Sequence, residues 1–293
     1  MRSIQQNWKK FLQRALVAII VAASLAASTV PARAETFRIA IMQAEKGAAD
    51  HFAPLAQYLD KRGIQVQLVP TASYTDAALM FAEGKADGMF SGSGVAASMI
   101  IKDLAYPVVR PVDREGISTY WAVVVAPKGA PSFVPDASYF KGKRVVFCAL
   151  ASAGEFFVRS IPAALEAARE VTVAPSHGAA IETVAKGQAD IAIVKNRVWD
   201  NVKARYPGLV ELGSDSGQNP NNTLIISKKT DPALVKRLTG ALLTLQNDAS
   251  PEAQAARDGL NIIGYIITSA NDFQHTLGLL HKAGVDKDFD FHF

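Results

Sequence analysis

Four serines, one histidine, one lysine, one asparagine and two tyrosines stand where side chains of their type could hold a small anion. Ser91, Ser93, Ser152 and Ser176 lie beside small residues, in Ser91-Gly92-Ser93-Gly94, Ala151-Ser152-Ala153-Gly154 and Ser176-His177-Gly178. A hydroxyl among small neighbours leaves backbone N–H groups free to approach a ligand, and N–H groups at a helix start favour negative charge. Each serine equally suits a helix N-cap, and the two roles can coexist. His177 follows an apolar strand pattern and offers either a donor to an oxyanion or a capping side chain. Lys195, followed by Asn196, ends another apolar run, where an ammonium would meet an anion directly or simply be solvated. Tyr74 and Tyr120, with Trp121 beside it, could wall a cleft or pack within the fold.

Signatures of catalysis are missing. The chain has no Gly-x-Ser-x-Gly, no His-Glu-x-x-His and no Gly-Lys-Ser/Thr phosphate loop, and His51, His177, His275, His281 and His292 lack zinc-ligand spacing. The expectation is therefore binding without turnover, with no catalytic residue, no metal and no cofactor. Cys148 is the one cysteine and sits in Val145-Val146-Phe147-Cys148, which predicts a buried, inert thiol.

The elements that must position these groups are written twice. Phe81-Ala82-Glu83-Gly84-Lys85-Ala86-Asp87-Gly88-Met89-Phe90 returns as Val184-Ala185-Lys186-Gly187-Gln188-Ala189-Asp190-Ile191-Ala192-Ile193. Upstream, Val66-Gln67-Leu68-Val69-Pro70 matches Val171-Thr172-Val173-Ala174-Pro175. Each copy reads strand, helix, strand, with the glycine at the helix C-terminus and a buried parallel strand after the aspartate. Two such units make two similar α/β lobes, the plainer alternative being two ordinary units in one sheet. In open parallel sheets a ligand sits beyond the C-terminal strand ends. The loops predicted there are 43–48, 71–74, 91–94, 150–154, 176–178 and 195–196. One long helix is expected over 152–168, hinge strands near 118–125 and 222–227, and helices over 235–245, 251–258 and 273–283.

Residues 1–34 read as a signal peptide. Lys9, Lys10 and Arg14 precede the apolar run 15–27, and Ala32-Arg33-Ala34 supplies a small-x-small cleavage site. Without this segment, which holds five basic residues and no acid, 26 basic face 27 acidic side chains. A nearly neutral chain argues against nucleic acid as a partner, because phosphates demand an excess of Lys and Arg.

With these segments in place, the layout resembles the phosphate/phosphite/phosphonate-type periplasmic substrate-binding proteins of ABC importers. The likeness rests on 37–42, on 51–61 with its Pro-Leu-x-x-Tyr-Leu, on 70–74, 84–91, Gly142-Lys143-Arg144, Ser176-His177-Gly178-Ala179, 186–190 and 227–245. It implies a two-lobed type 2 periplasmic binding protein, each lobe a mostly parallel sheet flanked by helices, with two hinge strands. One lobe would comprise 35–117 and 222–293, the other 118–221. The implied protein is a periplasmic monomer that closes on a small anion and presents it to a membrane permease, or to a sensor kinase. Tyr74 and His177 match family ligand contacts, while the family's Ser-Thr-Ser-Gly loop stands here as Ala151-Ser152-Ala153-Gly154, with one hydroxyl left. Where members that take aminophosphonates carry acidic and aromatic residues, this chain has Lys195-Asn196, which disfavours a cationic substituent.

Overall fold

The structure, a computed structural model, describes residues 36–42, 47–148 and 151–291. The expected signal peptide, the 43–46 part of the first predicted loop and residue 150 of the fourth lie outside these residues. In chain order the elements are β1 (Phe37–Met42), α1 (Ala53–Asp60), β2 (Val66–Thr71), α2 (Tyr74–Ala82), β3 (Gly88–Ser91), α3 (Ser93–Ile101), β4 (Ala105–Asp113), β5 (Thr119–Tyr120) and β6 (Ala122–Pro127). Then come α4 (Ala137–Phe140), β7 (Arg144–Cys148), α5 (Ala153–Arg159), α6 (Ala164–Ala167), β8 (Glu170–Ala174), α7 (His177–Ala185), β9 (Ile191–Lys195), α8 (Asn196–Val202) and β10 (Leu209–Ser214). The chain ends through β11 (Asn219–Pro220), β12 (Thr223–Ser227), α9 (Pro232–Thr244), α10 (Pro251–Leu260), β13 (Ile262–Ile267) and α11 (Gln274–Lys282).

Two large sheets result among the described residues, in the order β13-β4-β12-β3-β1-β2 and β10-β6-β9-β7-β8, beside a two-stranded pairing of β5 with β11. In each large sheet the strands of one side are parallel: β1 pairs with β2 and β3, and β7 pairs with β8 and β9. Antiparallel strands complete the other side of both sheets. Strand residues alternate between faces, so Ile39 and Ile41 join a core with Tyr58, Leu238 and Tyr265, while Ala40 joins another with Phe81 and Met89. Likewise Ala192 and Val194 pack with Ile181 and Trp199, whereas Ile191 and Ile193 face Phe147 and Phe156. The second of these cores is continuous across both sheets through α3, and α11 packs on α3 and on α5.

The repeated sequence closes its helices in the same way twice. Gly84 and Gly187 adopt left-handed φ values of 73° and 70°. After α2, the Gly84 and Lys85 N–H groups reach the Phe81 and Met80 carbonyls at 3.0 and 2.9 Å. After α7, Gly187 and Gln188 reach Val184 and Thr183 at 2.9 and 3.0 Å, the same pair of helix-ending bonds. The aspartates then tie the motif to the start of a central strand. Asp87 accepts from the Arg38 backbone N–H and guanidinium at 2.9 and 2.7 Å, and Asp190 accepts from those of Arg144 at 2.7 and 2.7 Å. Both pairs lie at the opposite strand ends from the predicted loops, so the Gly-x-Ala-Asp is a structural device.

The expected 152–168 helix is two short ones. Pro162 lacks an N–H, and Ala163 takes a left-handed φ of 56° between α5 and α6. The tail, read as helices alone, also contains the edge strand β13, an apolar run too short for periodicity to separate from a helix.

Gly154 sets the distance between α5 and the second sheet. A Cβ there would lie 1.9 Å from the Ile193 carbonyl oxygen, a backbone atom that cannot swing aside. Gly154→Ala is expected to lower ligand-free stability by about 3 kcal/mol, since overpacked cores lose such amounts. Urea unfolding measures this, and an unchanged midpoint would show that the helix shifts freely.

Candidate functional site

The chain crosses between the sheets twice, and the two crossings pair. β5 and β11 form a short antiparallel ribbon, Tyr120 opposite Asn219 and Thr119 opposite Pro220. Immediately after it, Ala122 in β6 pairs with Lys195 at the end of β9. The crossings therefore fix Tyr120 and Lys195 beside each other, and the Lys195 Nζ stands 4.4 Å from the Tyr120 ring centroid.

At the strand tips lies a tight cavity of about 30 Å³, walled by Tyr74, Gly92 and Val95 from one half and by 151–153, His177 and Lys195 from the other, with Tyr120 and Asn222 from the crossings. The duplication explains four of the ten residues in this wall. Tyr74 and His177 are each the first residue of the helix that follows an edge strand, and Ser73 and Ser176 cap those helices, accepting from the Asp76 and Ala179 N–H groups at 3.0 and 3.1 Å. Gly92 and Lys195 are likewise the N-cap residues of α3 and α8. Every member of these pairs lies 103 residues after its counterpart. Equivalent backbone positions thus present a phenol and a glycine from one copy, an imidazole and an ammonium from the other.

Charge and donors are unevenly divided. Lys195 donates to the Asn221 Oδ1 at 2.5 Å and meets no carboxylate among the described residues. Desolvation, then the nearby Arg197, lowers its pKa to about 7. His177 is kept neutral, its pKa lowered to about 3 by burial and then by Lys195, and its buried Nδ1 has no partner. Burial raises the Tyr74 phenol well above its ordinary value, and pushes Tyr120 up to about 12, so both remain hydroxyl donors. The Ala151 N–H, in a residue with φ 44°, donates to the Glu155 Oε2 at 2.8 Å. Burial raises the pKa of that carboxyl, and Arg159 opposes the shift.

Of the sequence-predicted residues, Tyr74, Tyr120, Ser152, His177 and Lys195 line the cavity together. The Ser152 hydroxyl is already committed, capping the Glu155 N–H at 3.2 Å and donating to the Cys148 carbonyl. Ser93 sits one layer back, its N–H donating to the Tyr120 hydroxyl at 3.2 Å and its own hydroxyl bonded to the same oxygen. Ser176 acts as a cap, and Asn196 is buried with its Oδ1 accepting from the Trp121 N–H at 3.1 Å. Ser91 is buried behind the wall with its hydroxyl unpartnered. Gly92, Asn221 and Asn222 were not legible as site residues, although the spacing of the duplication from Lys195 points to Gly92. Cys148 is buried, which raises its thiol pKa to about 11.

Lys195 makes stability depend on pH. A base whose folded pKa is depressed from 10.5 to about 7 destabilises the folded chain below that value, and the penalty fades as pH rises toward the unfolded value. The ligand-free melting temperature is therefore expected to rise between about pH 6 and 9 relative to a Lys195→Met variant. Parallel melting profiles for the two proteins would remove Lys195 from this account.

Two α/β halves joined by paired crossing strands and meeting at a cation-bearing cavity define a two-lobed substrate-binding protein. The chain belongs to the ABC transporter, phosphonate, periplasmic substrate-binding protein family, which it matches over residues 37–273. No curated protein matches it in sequence. Among solved structures it is similar to XAC2383 from Xanthomonas citri bound to ATP, at 14% identity and a TM-score of 0.72, covering 85% of this chain and 98% of that one. PhnD1 from Prochlorococcus marinus in complex with methylphosphonate gives 15%, 0.68, 85% and 98%. A binding protein component of the ABC phosphonate transporter from Pseudomonas aeruginosa gives 15%, 0.67, 84% and 86%. At these identities the likeness concerns the fold. Among the described residues no helix is long and apolar enough to cross a membrane, and no cluster of His, Cys, Asp or Glu could hold a metal ion.

Proposed function

We propose that the chain captures a phosphonate-type oxyanion in this cavity, between a lobe of residues 35–117 with 222–293 and a lobe of residues 118–221. It then presents the anion to the permease of an ABC importer, working as a periplasmic monomer and by binding alone. One observation carries the ligand class: Lys195 is an ammonium held by an amide oxygen and an aromatic face, with no carboxylate, in a cavity wall it shares with His177, whose buried Nδ1 has no partner. Burying a charge without a counter-charge is costly, and an anion in the cavity supplies one. Tyr74 and His177, equivalent in the two copies, offer it neutral donors from opposite lobes. Lobe closure about the paired crossings would exclude water and bring these donors together.

Thermal shift with phosphate, phosphite, methylphosphonate, sulfate and nitrate tests the proposal. At least one phosphorus oxyanion is expected to raise the melting temperature, and more at pH 7 than at pH 9, where Lys195 has lost its proton. No response to any of these anions would discard the oxyanion site.

A further inference from the structure

Lys195 and Asn222 border two spaces. On one side is the cavity of about 30 Å³, and on the other a hollow of about 260 Å³ with Arg197, Asn201, Asn221 and Asn261 in its walls. Beside the inner space Gly94 and Ala151 meet with no room for even a methyl group between them. The hollow, which shares Lys195 and Asn222 with the cavity, offers the room past Lys195 that a ligand larger than a bare oxyanion needs.

The hollow's chemistry selects what can extend there. Its one acid, Asp113, is satisfied: it accepts from the Arg197 guanidinium and from the Glu115 and Ile117 N–H groups at 3.0 and 2.8 Å. With that pair neutral as a unit, the remaining formal charge is the Lys195 ammonium. An ammonium has three donors, and Asn221 takes one of them, which leaves two for groups on either side. Four side-chain amides add further donors around it, while a cationic substituent would face Lys195 as a like charge.

We infer that the ligand is a phosphonate whose substituent ends in a second acid, a phosphonocarboxylate, with the phosphonate in the inner cavity and the carboxylate in the outer hollow. Lys195 lies between the two acids and bonds both. The inference rests on the oxyanion reading above and goes further by naming the substituent.

Calorimetry on the purified chain with methylphosphonate, phosphonoacetate and 2-aminoethylphosphonate tests it. Phosphonoacetate is expected to bind about tenfold tighter than methylphosphonate, as one added charged hydrogen bond allows, and 2-aminoethylphosphonate weakest of the three. Asn201 is exposed on the last turn of α8, so Asn201→Asp places a negative charge at the hollow without disturbing the core. It is expected to weaken phosphonoacetate about threefold to fivefold and to leave methylphosphonate within about twofold. Phosphonoacetate binding no tighter than methylphosphonate, or Asn201→Asp weakening both equally, would overturn the inference and leave the oxyanion site standing. Failure of all three compounds and of inorganic phosphate would overturn both.

Discussion

Lys195→Met is expected to weaken methylphosphonate binding about 100-fold at neutral pH while raising the melting temperature of the ligand-free protein. The first effect follows from losing a hydrogen bond between two charged groups, worth about 1.5–3 kcal/mol. The second follows from what the ammonium does without a ligand: it is desolvated, its pKa is lowered to about 7, and it rests on an amide oxygen and the Tyr120 ring. Methionine keeps much of the apolar stem against that ring and removes the charge. The opposite signs are diagnostic. A lysine that merely supported the fold would lose stability and affinity together, so a variant that is less stable, or one that binds normally, would remove Lys195 from the ligand.

Gly94→Ala is expected to reduce affinity by about 100-fold or more and to lower the ligand-free melting temperature as well, because the core that runs through α3 to the Ala151 turn must open to take the added methyl. Gly94 lies in the first turn of α3, where the better helix propensity of alanine, about 1 kcal/mol, does not offset a clash with backbone. The obstacle is across the cleft: its Cβ would stand 2.0 Å from the Ala151 carbonyl oxygen and 2.8 Å from the Phe156 ring. Separating the backbones by an ångström or more would pull Tyr74 and Gly92 away from His177 and Lys195, and displacements of that size cost orders of magnitude at preorganised sites. Gly154→Ala makes an informative control, since its clash with Ile193 lies within one sheet-and-helix unit and should lower stability with or without ligand. Calorimetry together with small-angle scattering separates the cases, because a Gly94→Ala protein should fail to contract when methylphosphonate is added. Undiminished affinity in that variant would mean that contact between α3 and the Ala151 turn is not part of the bound state.

Features set by nearest neighbours were legible in the chain. Continuous apolar runs, helices ended by Gly84 and Gly187, and serines before Tyr74 and His177 are all local in the chain, so their residue types announce them. The helix break at Pro162 and Ala163 was equally local, but it was overridden by the apolar pattern on either side. Strand β13 was missed because six apolar residues fit a buried strand and a buried helix turn alike.

What the amino-acid sequence determined by itself was the repeated strand-helix-strand unit and, with it, the placing of Tyr74, His177 and Lys195 at the tips of strands. Only the tertiary structure decided that these tips share one cavity, that Ser93 serves Tyr120 and Asn196 serves Trp121, and that Asp87 and Asp190 bind Arg38 and Arg144 at the far ends of the strands. The reason is the range of the forces involved. A cap or a turn is settled within four residues, whereas the partner of a polar group at a strand end is whichever group the folded sheets bring within 3 Å, and no spacing along the chain encodes that distance.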